Sequence, residues 1–413
     1  MVKLQLINLI GVLIFGSIFA GCVDDRRRKV FPVEGFAVAG VVQYKKSTPR
    51  VTNFRTIRKA SETGAVSCAK IEVIDPTSGE VIADGETRAD GSFIIGLPDD
   101  REGLPHVVRV LTVSSLEKFP MMVVNQDRRV YMFDSESFTA TVNNMLLTVS
   151  DSNGIEGAYN VFAQIMRSYK FMVDFGGEAA TDFSELEVRW ENGDVGVDCT
   201  CFFQQFLQPA VINLREDEDD DAVIIHEFGH YIQNTLANDS SPGGPHIISC
   251  GQMDDPRLTY SEGWATGFSC IVRRNKYYID TDNQTFFVDH EDPCHQGQGP
   301  VSETLVAAVF FDLFDGNNTL QSEDPDTISI SFLKIWNSVK AVPSSSSITM
   351  HDFYLALMAS GDVSPQQWSA NFDSLGFDIT TLQNNSSPGF IGAPAPHALP
   401  AADPEFQAVL EEN

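Results

Sequence analysis

Positive charge is what this chain has least of. Its 28 Lys and Arg stand against 57 Asp and Glu, a formal net charge of −29. Such a chain repels a phosphate backbone, which excludes nucleic acid as a partner. Cysteine is sparse, seven in all, and has no paired C-x-x-C spacing. A cysteine-built zinc site is therefore not written here, and Cys199-Thr-Cys201 alone does not make one. Beyond the N-terminus no run is long and apolar enough to span a membrane. No cysteine switch and no propeptide boundary are legible. What is present suits a globular chain, 43% hydrophobic and 21% charged. A length of 413 residues exceeds one ordinary core and implies two folded domains.

The first residues read as an export signal. Met1-Val2-Lys3 carries one positive charge, Leu4 to Phe19 is almost wholly apolar, and Ala20-Gly21-Cys22 comes next. Phe19-Ala20-Gly21-Cys22 resembles a bacterial lipobox, with Phe19 where leucine is usual. The resemblance implies a signal peptide over 1–21, cleavage before Cys22 and a lipid on its thiol. The mature chain would then be tethered to a membrane of the bacterial envelope, facing the periplasm or the exterior. Residues 22–35 read as the tether, and its arginines, Arg26 to Arg28, suit anionic headgroups. The six other cysteines (Cys68, Cys199, Cys201, Cys250, Cys270 and Cys294) are an even set compatible with disulfides, with no pairing selected.

From 36 to 115 short Val- and Ile-rich segments alternate with turn chemistry. Strands are predicted at 36–43, 69–75, 81–83, 92–97 and 107–113, between turns such as Asp75-Pro-Thr-Ser-Gly79 and Ala89-Asp-Gly91. The spacing predicts a small β-sandwich. The portion from Ala69, with its Thr87-Arg-Ala-Asp-Gly-Ser-Phe93 turn, resembles a carboxypeptidase-regulatory-like domain, a class that serves as spacer or binding module. Residues 116–150 read as a bridge into a second domain over 151–380, and 381–413 as a flexible tail rich in Ser, Pro and Gly.

The second domain contains His226-Glu-Phe-Gly-His230, an H-E-x-x-H pattern. On a helix, predicted over 220–236, histidines at i and i+4 share a face and can hold one metal ion, and Glu227 can reach a water on that ion. The helix is apolar around most of its circumference, so its polar residues need partners. The acidic run Glu216 to Asp221 just before it suits the positive end of the helix dipole, with a calcium site as the rival reading.

A zinc hydrolase takes three protein ligands and leaves one position for water. Metzincins place a glycine and a third histidine just after the pair; Gln233 and Leu236 stand there instead. The order H-x-x-E-H is also absent. A glutamate on a following helix remains, and Glu262 in Thr259-Tyr-Ser-Glu-Gly-Trp-Ala-Thr266 fits, on a helix predicted over 258–273. Here the chain resembles the gluzincins, the thermolysin-like clan of zinc peptidases. The resemblance implies a zincin-like fold with zinc on His226, His230 and Glu262 and with Glu227 as general base. Two features depart from that clan: 31 residues separate His230 from Glu262, and Thr266 stands where a supporting aspartate is usual. Glu291 and Glu303 are the fallback ligands.

Helices are predicted at 156–174, 301–315, 326–342, 349–359 and 364–375, with a strand or hairpin at 277–288. Oxyanion stabilisation needs a His or Tyr donor. Tyr260 is the first candidate, by its proximity to Glu262, ahead of His246, His290, His295 and His351. The expected fold is multidomain: an all-β sandwich, then an α+β zincin-like domain with a mainly helical C-terminal half. The expected function is a lipid-anchored zinc metallopeptidase acting on a peptide or protein substrate. The rival is a non-catalytic envelope or surface binding protein, against which Glu227 counts, because a structural zinc site needs no base.

Overall fold

The computed structural model describes residues 35–385, apart from 53–55, 194–198, 205–208, 216, 247, 249–252, 282–284, 293–297 and 316–327. The expectations for Cys22, Cys250, Cys294 and His295 lie outside the described residues.

A β-rich N-terminal region comes first: β1 (Ala37–Thr52), β2 (Thr56–Ala65), β3 (Ala69–Ile74), β4 (Val81–Glu86), β5 (Ser92–Gly96), β6 (Val107–Ser114), β7 (Met121–Val124), β8 (Met132–Asp134) and β9 (Val142–Val149). Alternation accounts for the strands on the core. In β3, Ala69, Ile71 and Val73 are buried while Lys70 and Glu72 are half-exposed. The polar β2 lacks this pattern and is held by a ten-residue antiparallel register along β1, from Gln43–Ala65 to Thr52–Thr56. At the other end of β1, β5 pairs antiparallel and β9 parallel.

The second sheet draws strands from both halves of the chain. After α1 (Glu156–Phe175) come β10 (Leu186–Trp190), β11 (Cys201–Phe203) and β12 (Ala210–Leu214). The sheet order is β11-β12-β10-β7-β6-β3-β4, with β8 also on β6. The segment 116–150, read as a bridge, is thus woven into both sheets: β7 runs parallel to β10 and β9 lies on β1. Buried residues of both regions share one core. The sequence hides this because β7 is only four residues long and its partner lies across α1.

The rest is mainly helical: α2 (Asp221–Leu236), α3 (Pro256–Arg273), the β13 (Tyr277–Asp280) and β14 (Phe286–Asp289) hairpin, α4 (Glu303–Asp315), α5 (Phe332–Ala341), α6 (Met350–Ser360), α7 (Pro365–Phe372) and α8 (Ile379–Asn385). Helix α8 runs into the stretch read as a tail, because Leu382 is buried. Helix α3 is the hub. Trp264 stacks on Trp336 of α5 at 5.4 Å and meets Phe310 of α4 edge-on at 5.3 Å. Its indole N–H donates to Gly229 O of α2 at 3.2 Å. Small residues permit these close crossings. A Cβ on Gly263 would lie 2.4 Å from Val306 Cγ1, and one on Gly267 2.7 Å from Phe310 Cβ.

The β-region also fixes the start of α2. Lys46 on β1 donates to Asp221 Oδ1 at 2.7 Å and Oδ2 at 2.5 Å, and the two side chains are only 7% and 14% exposed. Asn160 of α1 donates to the same carboxylate at 3.1 Å and accepts from the Tyr44 hydroxyl at 3.0 Å. Removing one partner of a buried pair strands the other charge. Lys46→Met is therefore expected to lower stability by about 3–5 kcal/mol in urea unfolding; a loss under about 1 kcal/mol would show the pair to be solvated, as surface pairs are.

Candidate metal centre

Helix α2 presents His226 and His230 on one face, and α3 brings Glu262 against them. His226 Nε2 lies 3.0 Å from His230 Nε2. Glu262 Oε2 lies 2.9 Å from His230 Nε2 and 3.2 Å from His226 Nε2. This set of two nitrogens and one oxygen could hold a metal ion, all three atoms lying within 4.8 Å of one another. Ligands at zinc distances of roughly 2.0–2.2 Å sit about 3.3 Å apart around a tetrahedral ion, so a slight outward movement seats one. A further observation supports the fit: Glu227 Oε2, buried beside the cluster, has no hydrogen-bond partner among the described residues.

The close approach of α3 depends on Gly229, within the motif itself. A Cβ there would stand 2.9 Å from Ala265 Cα and 3.2 Å from its Cβ. Alanine favours helix by about 1 kcal/mol over glycine, yet the clash is with backbone and cannot be relieved by a rotamer. Gly229→Ala is expected to cost a net 1–3 kcal/mol, roughly, as overpacking does, and to weaken metal binding by displacing Glu262. Thermal unfolding and zinc titration together check this; an unchanged zinc affinity would show that Glu262 does not depend on that contact.

The charges are unevenly distributed. Burial and the neighbouring His230 hold His226 down, to about 4, although Glu262 opposes this. Burial also disfavours the charged form of His230, but Glu262 outweighs it and raises this imidazole to about 9. Glu262, itself penalised by burial, is held well below the usual carboxylate range by the two histidines. Burial pushes Glu227 up to about 7. Without metal the cluster is therefore a His230 imidazolium on a Glu262 carboxylate, with His226 neutral. A metal must displace the His230 proton. Apparent zinc affinity is expected to rise roughly tenfold per pH unit up to about pH 9 and then level, because below that value the bound proton competes. Competition titration across pH 6–10 measures it; a flat profile would mean His230 is already neutral.

Hydroxyls on α3 support both imidazoles. Thr266 Oγ1 is 2.9 Å from His226 Nδ1 and donates to Glu303 Oε1 at 3.3 Å. Ser261 Oγ is 3.4 Å from His230 Nδ1 and reaches Asp239 Oδ2 at 3.3 Å. Thus Glu303, a fallback ligand, stands behind His226 rather than in the ligand set. Glu291 comes just after β14, its N–H donating to Asp289 Oδ1.

Tyr260 does not reach the cluster, contrary to expectation. Two residues along a helix is close to half a turn, so Tyr260 and Glu262 face apart. The Tyr260 ring packs on Phe310 at 6.2 Å, and its buried hydroxyl has no hydrogen-bond partner among the described residues. His246, from the α2–α3 loop, does reach the cluster: its Nε2 is 3.4 Å from Glu262 Oε2 and 3.6 Å from Glu303 Oε2. Burial disfavours its charged form, but Glu303 and Glu262 raise it above the usual range. Tyr278 on β13, absent from the candidates, meets the His226 ring edge-on at 5.9 Å. His290 is fully buried behind β14, its backbone N–H on Lys276 O, and His351 lies on α6.

The acidic run meets the start of α2 as expected, with Asp220 at its N-cap and Asp221 in its first turn, but Asp217 and Asp220 are buried rather than solvated. Asp220 occupies the N-cap position of α2 without a side-chain cap bond; its carboxylate instead accepts from Thr281 N and Oγ1. Asp217, Asp220 and Asp280 form a second group able to hold a cation. Cys199 and Cys201, set aside as a zinc pair, are disulfide-bonded to each other. Cys68 is also in a disulfide, and Cys270 is a buried free thiol.

The fold and site together define a helix-borne cluster that could hold a metal ion, beside a carboxylate oxygen, Glu227 Oε2, with no hydrogen-bond partner among the described residues. Comparison with known proteins gives a relationship. Residues 176–369, which contain α2, α3 and the whole cluster, match the mycolysin C-terminal domain family. The match relates the chain to a family of peptidases. An uncharacterised protein of Archaeoglobus fulgidus is 25% identical over 99 residues, covering 24% of this chain and 28% of that one.

Proposed function

We propose that the chain is a zinc-dependent metallopeptidase with a zincin-like catalytic domain, in which His226, His230 and Glu262 hold the ion. The observation that carries this is the convergence of His226 Nε2, His230 Nε2 and Glu262 Oε2 beside Glu227 Oε2, which has no hydrogen-bond partner among the described residues. A bound zinc ion would supply Lewis-acid activation of the attacking water and the scissile carbonyl. Glu227 takes the proton of that water at its carboxylate and delivers it to the leaving amine. Burial raises its pKa towards neutrality, which suits a group that must both accept and release a proton near pH 7. Thr266 and Ser261 orient the two imidazoles. His246 is the best-placed donor for a developing oxyanion, because it alone among the candidate donors within the described residues lies beside the ligand cluster.

We extend this reading to location: export, a lipid on Cys22 and a peptide or protein substrate outside the cytoplasm. These rest on the Phe19-Ala20-Gly21-Cys22 stretch and on the peptidase relationship. The test is metal content with turnover. Purified chain should carry one zinc ion, cleave a peptide mixture, lose activity to a chelator and regain it with zinc. A chain that takes up no zinc ends this reading. Labelled fatty acid should enter the parent and not Cys22→Ser; equal labelling would remove the anchor.

A further inference from the structure

Three side chains from three helices stand in line behind the metal centre: His226 of α2, Thr266 of α3 and Glu303 of α4. His226 Nδ1 lies 2.9 Å from Thr266 Oγ1, which donates to Glu303 Oε1 at 3.3 Å. Thr266 is fully buried and Glu303 is 4% exposed. A threonine hydroxyl carries a single proton. When the carboxylate takes it, the oxygen offers His226 only lone pairs, so Nδ1 must be the protonated nitrogen. Nε2 is then the free one, and it faces His230 and Glu262.

We propose that Glu303, acting through Thr266, is the positioning carboxylate that fixes the tautomer and ring orientation of His226 for metal binding. The inference rests on the metal reading of the site. It also accounts for a buried acid that is otherwise expensive. Burying a carboxylate costs several kcal/mol in order of magnitude unless it has partners. Glu303 has Thr266 on Oε1; Oε2 makes no hydrogen bond among the described residues and has only the charge of His246, whose Nε2 stands 3.6 Å away. It lies in the first turn of α4, where the helix dipole favours negative charge. Helix α4 reaches Thr266 because Gly263 and Gly267 let it lie against α3. The threonine that looks like a missing aspartate is thus the middle of a longer connection. The carboxylate has moved one helix away, and a hydroxyl spans the gap.

The experiment is zinc competition against a chromophoric chelator on the full chain, with urea unfolding of each variant as a separate measure of fold. Thr266→Val keeps the shape and removes the hydroxyl, and is expected to weaken zinc about 10–100-fold, as loss of an outer partner does. Glu303→Gln is expected to weaken it in the same direction. The double variant should be no weaker than the more affected single one, since both lie on one path. Thr266→Ser keeps the hydroxyl and should bind zinc like the parent, which separates the hydrogen bond from mere packing. A folded Thr266→Val chain with parental zinc affinity overturns the inference and leaves the metal site standing. Losses that multiply in the double variant also overturn it, since Glu303 would then act by charge and not through Thr266. A parent chain that binds no zinc overturns the metal reading and this inference with it.

Discussion

Glu227→Gln is expected to retain its zinc and lose peptide hydrolysis by about 10²–10⁴-fold, the range that a positioned acid–base group contributes. The substitution is nearly isosteric, and Glu227 is not in the ligand set, so metal content should not change. What is lost is a proton acceptor: an amide cannot take the proton of the attacking water. The environment explains why a carboxylate would be kept here despite its cost. Glu227 is buried at 5% exposure, its Oε2 has no hydrogen-bond partner among the described residues, and burial raises it to about 7. A bound cation would pull that value down, so the parent should lose kcat/KM as pH falls through a pKa at or below about 7. Stability of the metal-free chain should not fall at neutral pH, because the substitution removes a buried acid whose charged form burial already disfavours. Turnover of the purified zinc-loaded variant decides the matter, and activity equal to the parent's would remove Glu227 as the base.

The local parts of this site were legible because their rules are local. The i and i+4 spacing placed His226 and His230 on one face, and α2 has that face turned to Glu262. The strands β3, β5 and β6 announced themselves by alternation. What escaped was tertiary. No pattern in the sequence pairs Thr266 with Glu303, because the pairing depends on α4 docking over Gly263 and Gly267. His246 comes from a loop whose path no periodicity records. Strand β2 is mostly polar and exists through its register with β1. Tyr260 is a different kind of miss. Nearness in sequence is not nearness in space, and helical geometry alone, with residues i and i+2 on opposed faces, argues against it.

The β-region and the metal centre are also less separable than a spacer-plus-enzyme reading implies. One sheet runs from β4 to β11, and Lys46 on β1 holds the first residue of the helix that carries the histidines. A carboxypeptidase-regulatory-like module used only as a spacer would need no such grip. In this chain the β-region helps set the N-terminal end of α2, so damage to the Lys46–Asp221 pair should reach the metal centre as well as the global stability.

Glu262→Ala should abolish zinc retention and hydrolysis together, which separates it from Glu227→Gln. Removing a ligand should weaken zinc by more than the about 10–100-fold lost with an outer partner. The substitution also acts without metal. Glu262 is what raises His230 against the effect of burial, and without it the imidazolium loses the carboxylate 2.9 Å away. His230 should then fall back below its present value of about 9, and the pH dependence of any residual zinc binding should shift down with it. The rival account of Glu262 is a carboxylate kept near the start of α3 only for the helix dipole, an effect of about 0.3–1 kcal/mol. That account predicts a slightly less stable chain with normal zinc content. The two differ by orders of magnitude in one measurement, the zinc bound per chain after dialysis, and a Glu262→Ala chain that keeps its ion would dismantle the ligand set.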